Sequence, residues 1–276
     1  MNQPLEGTLL PAGLRTSKVR ASLDFETYSE AGFLFVDPPP PPPRKVLASG
    51  KLGALRWTPP YKVVGAGAQG KGGLPVVGTP NYVCHPTAEV LSLYYDLKDG
   101  NGRVHWVPAM PPPEPLLNHV RNGGELEAFN ITFEWWVWNV LCVRRHGWPE
   151  LPLEQCHCVM AKSRRFSLPG ALGKVADVLG TTPKDKEGTR LIQKLTRPHT
   201  PTKSNPTHRW TPATAWDDFL SFYRYNEIDV ESEDEVAALI PDLTDAERNA
   251  WLVDQRINAR GLNVDVQALD AALDVL

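Results

Sequence analysis

Asp24-Phe25-Glu26 closes an alternating apolar stretch, Val19 to Phe25, that predicts a short strand. Residues two apart on a strand project from the same face. Two carboxylates held side by side repel unless a cation sits between them, and a hard divalent ion such as Mg²⁺ is the usual solution. A solvated edge strand carries the same pattern, so the pair alone leaves both readings open. A second constellation lies far downstream at Tyr225 and Asp229. At i,i+4 spacing on a helix the phenol and the carboxylate share one face, as they also would in an amphipathic helix with a half-buried Tyr. Between the two lies Asn130-Ile131-Thr132-Phe133-Glu134, which follows a strand and opens a helix. Asn130 suits an N-cap there, and Glu134 suits the first helical turn.

The elements that must position these side chains alternate between strand and helix patterns. Ala88 to Tyr95 and Val104 to Val107 read as strands around the turn Lys98-Asp99-Gly100-Asn101-Gly102. A short helix ends near Asn122-Gly123-Gly124, Glu125 to Phe129 is a strand, and Phe133 to His146 is an apolar helix closed by Gly147 and Pro149. Further helices are expected over 169–179, 184–195, and about 214–239, with another helical segment over 242–276. Residues 1–19 read as a loose leader. Asp37 is followed by six prolines, Pro38 to Pro43, and residues 37–80 read as a Pro/Gly-rich surface insertion without sustained period. Strands first and helices afterwards predict an α/β chain, a mixed sheet flanked by helices.

Taken together and in order, Asp24-x-Glu26, Asn130-x-x-Phe133-Glu134 and Tyr225-x-x-x-Asp229 resemble the three exonuclease motifs of the DEDD superfamily, Tyr subclass. The wider chain resembles the 3′→5′ exonuclease part of phage family-A (polymerase I-like) DNA polymerases. Supporting stretches are Asp24-Phe25-Glu26-Thr27, His85-Pro86-Thr87-Ala88-Glu89-Val90-Leu91, Arg145-His146-Gly147-Trp148-Pro149, Leu168-Pro169-Gly170-Ala171-Leu172 and Lys184-Asp185-Lys186-Glu187-Gly188. The resemblance runs over roughly 20–275, apart from the insertion. It implies a ribonuclease H-like exonuclease domain over 20–240 and, at 241–276, the start of a polymerase thumb-like helical segment. It further implies two divalent ions, Mg²⁺ or Mn²⁺, about 4 Å apart. Asp24, Glu26 and Asp229 would hold one; Asp24 would bridge to a second that Glu134 helps anchor. Tyr225, with Glu26, would orient the attacking water. Thr27, Asn130 and Phe133 would touch a single-stranded DNA 3′ end, and the product would be a nucleoside 5′-monophosphate. Two positions depart from the pattern. Glu134 stands where the superfamily most often has Asp, which moves the carboxylate outward by about 1.5 Å, one C–C bond. Phe129 stands where relatives usually carry His.

Charge adds a candidate track for nucleic acid. Residues 162–209 hold eleven basic side chains against Asp177, Asp185 and Glu187. Lys162, Arg164, Arg165, Lys184 and Lys186 are the candidates for the DNA backbone, and a solvated surface is the alternative. Two other motifs lead nowhere. Gly65-Ala66-Gly67-Ala68-Gln69-Gly70 matches a dinucleotide fingerprint, but it runs into Lys71-Gly72-Gly73-Leu74-Pro75, which is not expected to open a helix. Cys156-His157-Cys158, with Cys142 and His146, lacks the paired spacing of zinc ligands.

Overall composition bounds the rest. A chain of 276 residues with 42% hydrophobic content has enough apolar surface for a core, which excludes a wholly disordered protein. Its net charge of −3 favours no partner. Four cysteines without an apolar signal region before them suggest a reducing interior, and no apolar run reaches the roughly 18–20 residues of a membrane span. The expected location is the cytoplasm, that of the bacterial host for a phage protein. Polymerase palm and fingers motifs do not occur in the sequence, which leaves a separate polymerase polypeptide or a longer parent chain as partner. A 3′ exoribonuclease and an inactive DNA-binding or polymerase-docking module are the competing functions.

Overall fold

The computed structural model describes residues 19–274 except 39, 41–43, 50, 55–56 and 184–186. Seven strands are present among them: β1 (Ala21–Tyr28), β2 (Phe33–Val36), β3 (Lys62–Gly65), β4 (Glu89–Asp96), β5 (Val104–Trp106), β6 (Leu126–Ala128) and β7 (Cys156–Cys158). Five form one sheet in the order β5-β4-β1-β6-β7. β4 runs antiparallel to β1 and to β5, whereas β6 is parallel to β1 and to β7. This is a mixed sheet of ribonuclease H-like type with β1 at its centre. Leu23, Leu93 and Leu126, on three adjacent strands, are wholly buried, and each contributes about 2 kcal/mol of hydrophobic stabilisation.

Helices flank this sheet. They are α1 (Leu74–Cys84), α2 (Glu114–Arg121), α3 (Ile131–Trp136), α4 (Val143–His146), α5 (Val159–Arg165), α6 (Leu172–Leu179), α7 (Gly188–Leu195) and α8 (Trp216–Leu239). α3 continues through a π-helical stretch, Val137–Cys142, into α4, and Gly147 in the left-handed conformation ends the run. α8 has 24 residues, roughly 36 Å of helix, and packs across β1 and β4. Phe219, Phe222, Val230, Val236 and Ala237 are among its buried positions.

The chain divides into two compact units, with the second beginning at Leu243. That second unit carries α9 (Asp245–Arg260) and α10 (Val266–Leu273). Thr244 and Glu247 form a reciprocal capping box at the start of α9, and Asp265 caps α10 by accepting from the Ala268 amide.

Residues 37–80 contain more regular structure than their composition suggests. β3 pairs antiparallel with β2, Phe33 opposite Gly65 and Val36 opposite Lys62. Four residues of strand have no local period strong enough to read; the partner across the loop makes them a ribbon. The expectation that Lys71 to Pro75 opens no helix is also corrected. Gly73, at φ +76°, turns the chain sharply into α1, and Pro75 sits in the first turn, where its missing N–H has no helical partner to lose.

Candidate metal centre

β1 fixes Asp24 and Glu26 by alternation. Leu23 and Phe25 are buried on one face, and Asp24 and Glu26 are half-buried on the other. The register places Asp24 opposite Tyr94 and Glu26 opposite Ser92, with an irregularity immediately after Glu26. α8 brings the third carboxylate. One oxygen from each of Asp24, Glu26 and Asp229 lies within 4.8 Å of the others. Asn226 locks the two elements together: its side-chain amide donates to Asp24 Oδ2 at 2.5 Å and to the Asp24 carbonyl at 3.2 Å, and it accepts from Ser92 Oγ at 2.7 Å.

Tyr225 is buried one turn before Asp229 on α8. Burial first, then Asp229 and Glu26, raise the phenol far above its ordinary range, so it remains a protonated donor. Its ring stacks on Phe222 and lies against Gly188, where any Cβ would overlap the ring carbons. Glu134 is buried at the start of α3. Burial and then Asp24 push its carboxyl well above the usual range, and its Oε2 meets no hydrogen-bond partner. Asn130 precedes α3, but its exposed side chain makes no capping hydrogen bond; the expected cap is absent.

A cavity of about 370 Å³ opens beside Glu26. Phe25, Thr27, Tyr82, Phe133, Gln193 and Arg197 line it together with Gly72 to Pro75 of the insertion. Tyr82 holds Thr27, accepting from Thr27 Oγ1 at 3.3 Å and donating to the Thr27 carbonyl. Thr27 and Phe133 thus flank the cavity, whereas Asn130 is not among its walls.

The expected basic track is only partly exposed. Lys162 is corrected: it is 2% exposed, with its ammonium 3.0 Å from Glu127 and 3.3 Å from Asp242. It therefore offers no charge to a DNA backbone. Arg164 is exposed and Arg165 half-buried against Phe166; Lys184 and Lys186 lie outside the described residues. Cys142, Cys156 and Cys158 are buried and form no disulfide, and burial pushes Cys158 up to about 11. The side chain of Phe129 belongs to an apolar cluster with Val159, Leu172, Val175, Val236 and Ile240, so position 129 presents its backbone, not its ring, to the carboxylates.

Two buried polar residues of α8 went unread in the sequence. Asn226 carries no pattern of its own. Glu233 does, because it extends the Tyr225–Asp229 spacing by one more turn; it is buried, and its carboxyl is raised by burial, then by Asp24, Glu134 and Asp229.

Against this geometry, a stretch of 156 residues is 30% identical to a curated protein, covering 53% of this chain and 22% of that relative. The relative is a DNA polymerase of Bacillus phage SP02. Similarity to a fifth or so of a phage polymerase is consistent with a polymerase-associated domain. No family model matches the chain, and no solved structure matches it. No described helix is long and apolar enough to cross a membrane.

Proposed function

We propose that the chain is the proofreading part of a phage DNA polymerase, a metal-dependent 3′→5′ exonuclease that removes nucleoside 5′-monophosphates from single-stranded DNA ends. The observation that carries this reading is the meeting of Asp24 and Glu26 from β1 with Asp229 from α8, with Tyr225 one turn away. The donor set suits hard divalent cations: carboxylate oxygens converge, and the buried Glu134 Oε2 lacks a protein partner. Asp24, Glu26 and Asp229 would hold one Mg²⁺ or Mn²⁺, and Asp24 with Glu134 a second. Such a pair supplies a hydroxide nucleophile and stabilises charge on the departing 3′ oxygen.

The chain's own groups do the rest. The Tyr225 phenol would donate and so orient, with Glu26, the attacking water. Asn226 holds the Asp24 carboxylate in one rotamer. The cavity beside Glu26 has the volume of a terminal nucleotide. Phe133 and Tyr82 give it aromatic walls for a base, and Arg197 supplies a cation for phosphate. The DNA polymerase relative favours DNA over RNA as substrate.

The test uses 5′-labelled single-stranded DNA and RNA of one sequence with Mg²⁺ or Mn²⁺. The unmodified chain should shorten DNA stepwise from its 3′ end, and Asp24→Ala and Asp229→Ala should not. Equal activity in the variants overturns the site. Activity on RNA alone selects the exoribonuclease, and none with either metal selects a docking module.

A further inference from the structure

Asp24, Tyr94 and His105 stand opposite one another across three adjacent strands, β1, β4 and the edge strand β5. Residues paired in this way send their side chains to one side of the sheet. His105 therefore belongs to the side that carries Asp24, two strands away. Its ring stacks on Tyr94, centroids 4.5 Å apart, and meets the ring of Tyr223 from α8 at 4.6 Å. Its Nε2 lies 3.1 Å from Ser92 Oγ. Ser92 and Asn226 are both wholly buried.

Each proton between His105 and Asp24 can be placed by starting at the carboxylate. Asn226 meets two acceptors there, Asp24 Oδ2 at 2.5 Å and the Asp24 carbonyl at 3.2 Å, so its amide nitrogen must face them. The reverse orientation would press oxygen against oxygen. Asn226 Oδ1 then faces Ser92 and accepts its hydroxyl proton at 2.7 Å. A hydroxyl has one proton to give. Toward His105, Ser92 can therefore only accept, and Nε2 must carry a hydrogen. Burial lowers the His105 pKa, which favours the neutral Nε2–H tautomer. All the donors point one way, from the sheet edge to Asp24, and in such a chain each hydrogen bond polarises the next.

We propose that His105 is a positioning residue of the metal centre: through Ser92 and Asn226 it fixes the orientation of the Asp24 carboxylate. This rests on the exonuclease reading for the task of Asp24, but not for the hydrogen-bond chain itself. Without the Nε2 donor, Ser92 and with it Asn226 are held from one side only. Asp24 then gains rotamers that a cation must select against, at a cost in affinity.

Two substitutions at position 105 separate this role from packing. His105→Phe keeps an aromatic ring beside Tyr94 and Tyr223 but has no donor. His105→Gln loses the ring and keeps an amide N–H at the place of Nε2. Mn²⁺ binding to the full chain is measured by calorimetry, and kcat and KM on 5′-labelled single-stranded DNA. His105→Phe should weaken Mn²⁺ binding and lower kcat, each about tenfold or more, with KM for DNA unchanged; His105→Gln should recover most of both. A ring that only packs gives the opposite order, Phe tolerated and Gln impaired. That order overturns the proposal, as do equal affinities and rates in all three chains. Ser92→Ala removes the middle link, should match His105→Phe, and decides the matter should that variant not fold. NMR of the imidazole nitrogens, with His105 assigned by its loss in either position-105 variant, should show the Nε2–H tautomer; Nδ1–H overturns the chain whatever the kinetics. Mn²⁺ binding that weakens in His105→Phe, in a chain that never shortens DNA, upholds His105 and removes the nuclease reading instead. An unmodified chain that binds no Mn²⁺ overturns both.

Discussion

Substituting Lys162 with methionine removes one of two cations from a charge cluster sealed inside the first unit. Lys162 and Arg20 face Glu127 and Asp242 there. The Lys162 ammonium also donates to the Ala237 carbonyl at 3.2 Å. Methionine keeps the apolar stem, so the loss isolates the charge. Glu127 would retain one cation, the Arg20 guanidinium, at 3.5 Å. Burial already raises Glu127 although both cations pull it down. Breaking a buried pair costs about 3–5 kcal/mol; with Arg20 still present the lower end applies, about 3 kcal/mol. For a domain of this size that lowers the melting temperature by roughly 6–12 °C. The deficit has a pH signature. Glu127 in the variant is raised further, so its destabilisation is smallest below the ordinary glutamate value and grows as the pH rises through it. Urea unfolding followed by circular dichroism at several pH values measures this. Arg164→Ala, at an exposed position, should stay within about 0.5 kcal/mol of the parent. A loss under about 1 kcal/mol in Lys162→Met, with weaker DNA binding and a shallower salt dependence, would refute the structural assignment and return Lys162 to the phosphate track.

Three further outcomes follow from the centre. Tyr225→Phe should lower the hydrolysis rate about 10²-fold or more while leaving Mn²⁺ affinity intact in calorimetry; lost metal would contradict an orienting role. Gly188→Ala should displace the Tyr225 ring, cost about 1–3 kcal/mol by overpacking, and slow hydrolysis without altering metal stoichiometry. Without metal, the raised carboxyls of Glu134 and Glu233 contribute a destabilisation that is smallest below the ordinary glutamate range and grows as the pH climbs through it. Mn²⁺ should reverse that slope and release protons, read as a buffer-dependent binding enthalpy.

Much of the fold was legible locally. The 24-residue α8, the β4–β5 hairpin and the α3–α4 run coincide closely with elements expected from apolar spacing and from Gly and Pro at their ends. β7 and the β2–β3 ribbon were not legible, because three or four residues hold no period and their pairing partners are distant in the chain. For the centre, the period of two on β1 determined that Asp24 and Glu26 share a face, and the period of 3.6 on α8 did so for Tyr225 and Asp229. Those are properties of the backbone, available wherever the residues stand.

What only the tertiary structure decided is which faces meet and which charges turn inward. Packing of α8 across β1 and β4 brought Asp229 to Asp24 and carried Asn226 with it. The same packing turned Lys162 away from solvent, toward Glu127, and put the Phe129 ring into an apolar cluster. A run of basic residues reads as one surface in sequence. In the fold each position is assigned separately, because burial depends on what the neighbouring elements leave exposed, and no local period records that.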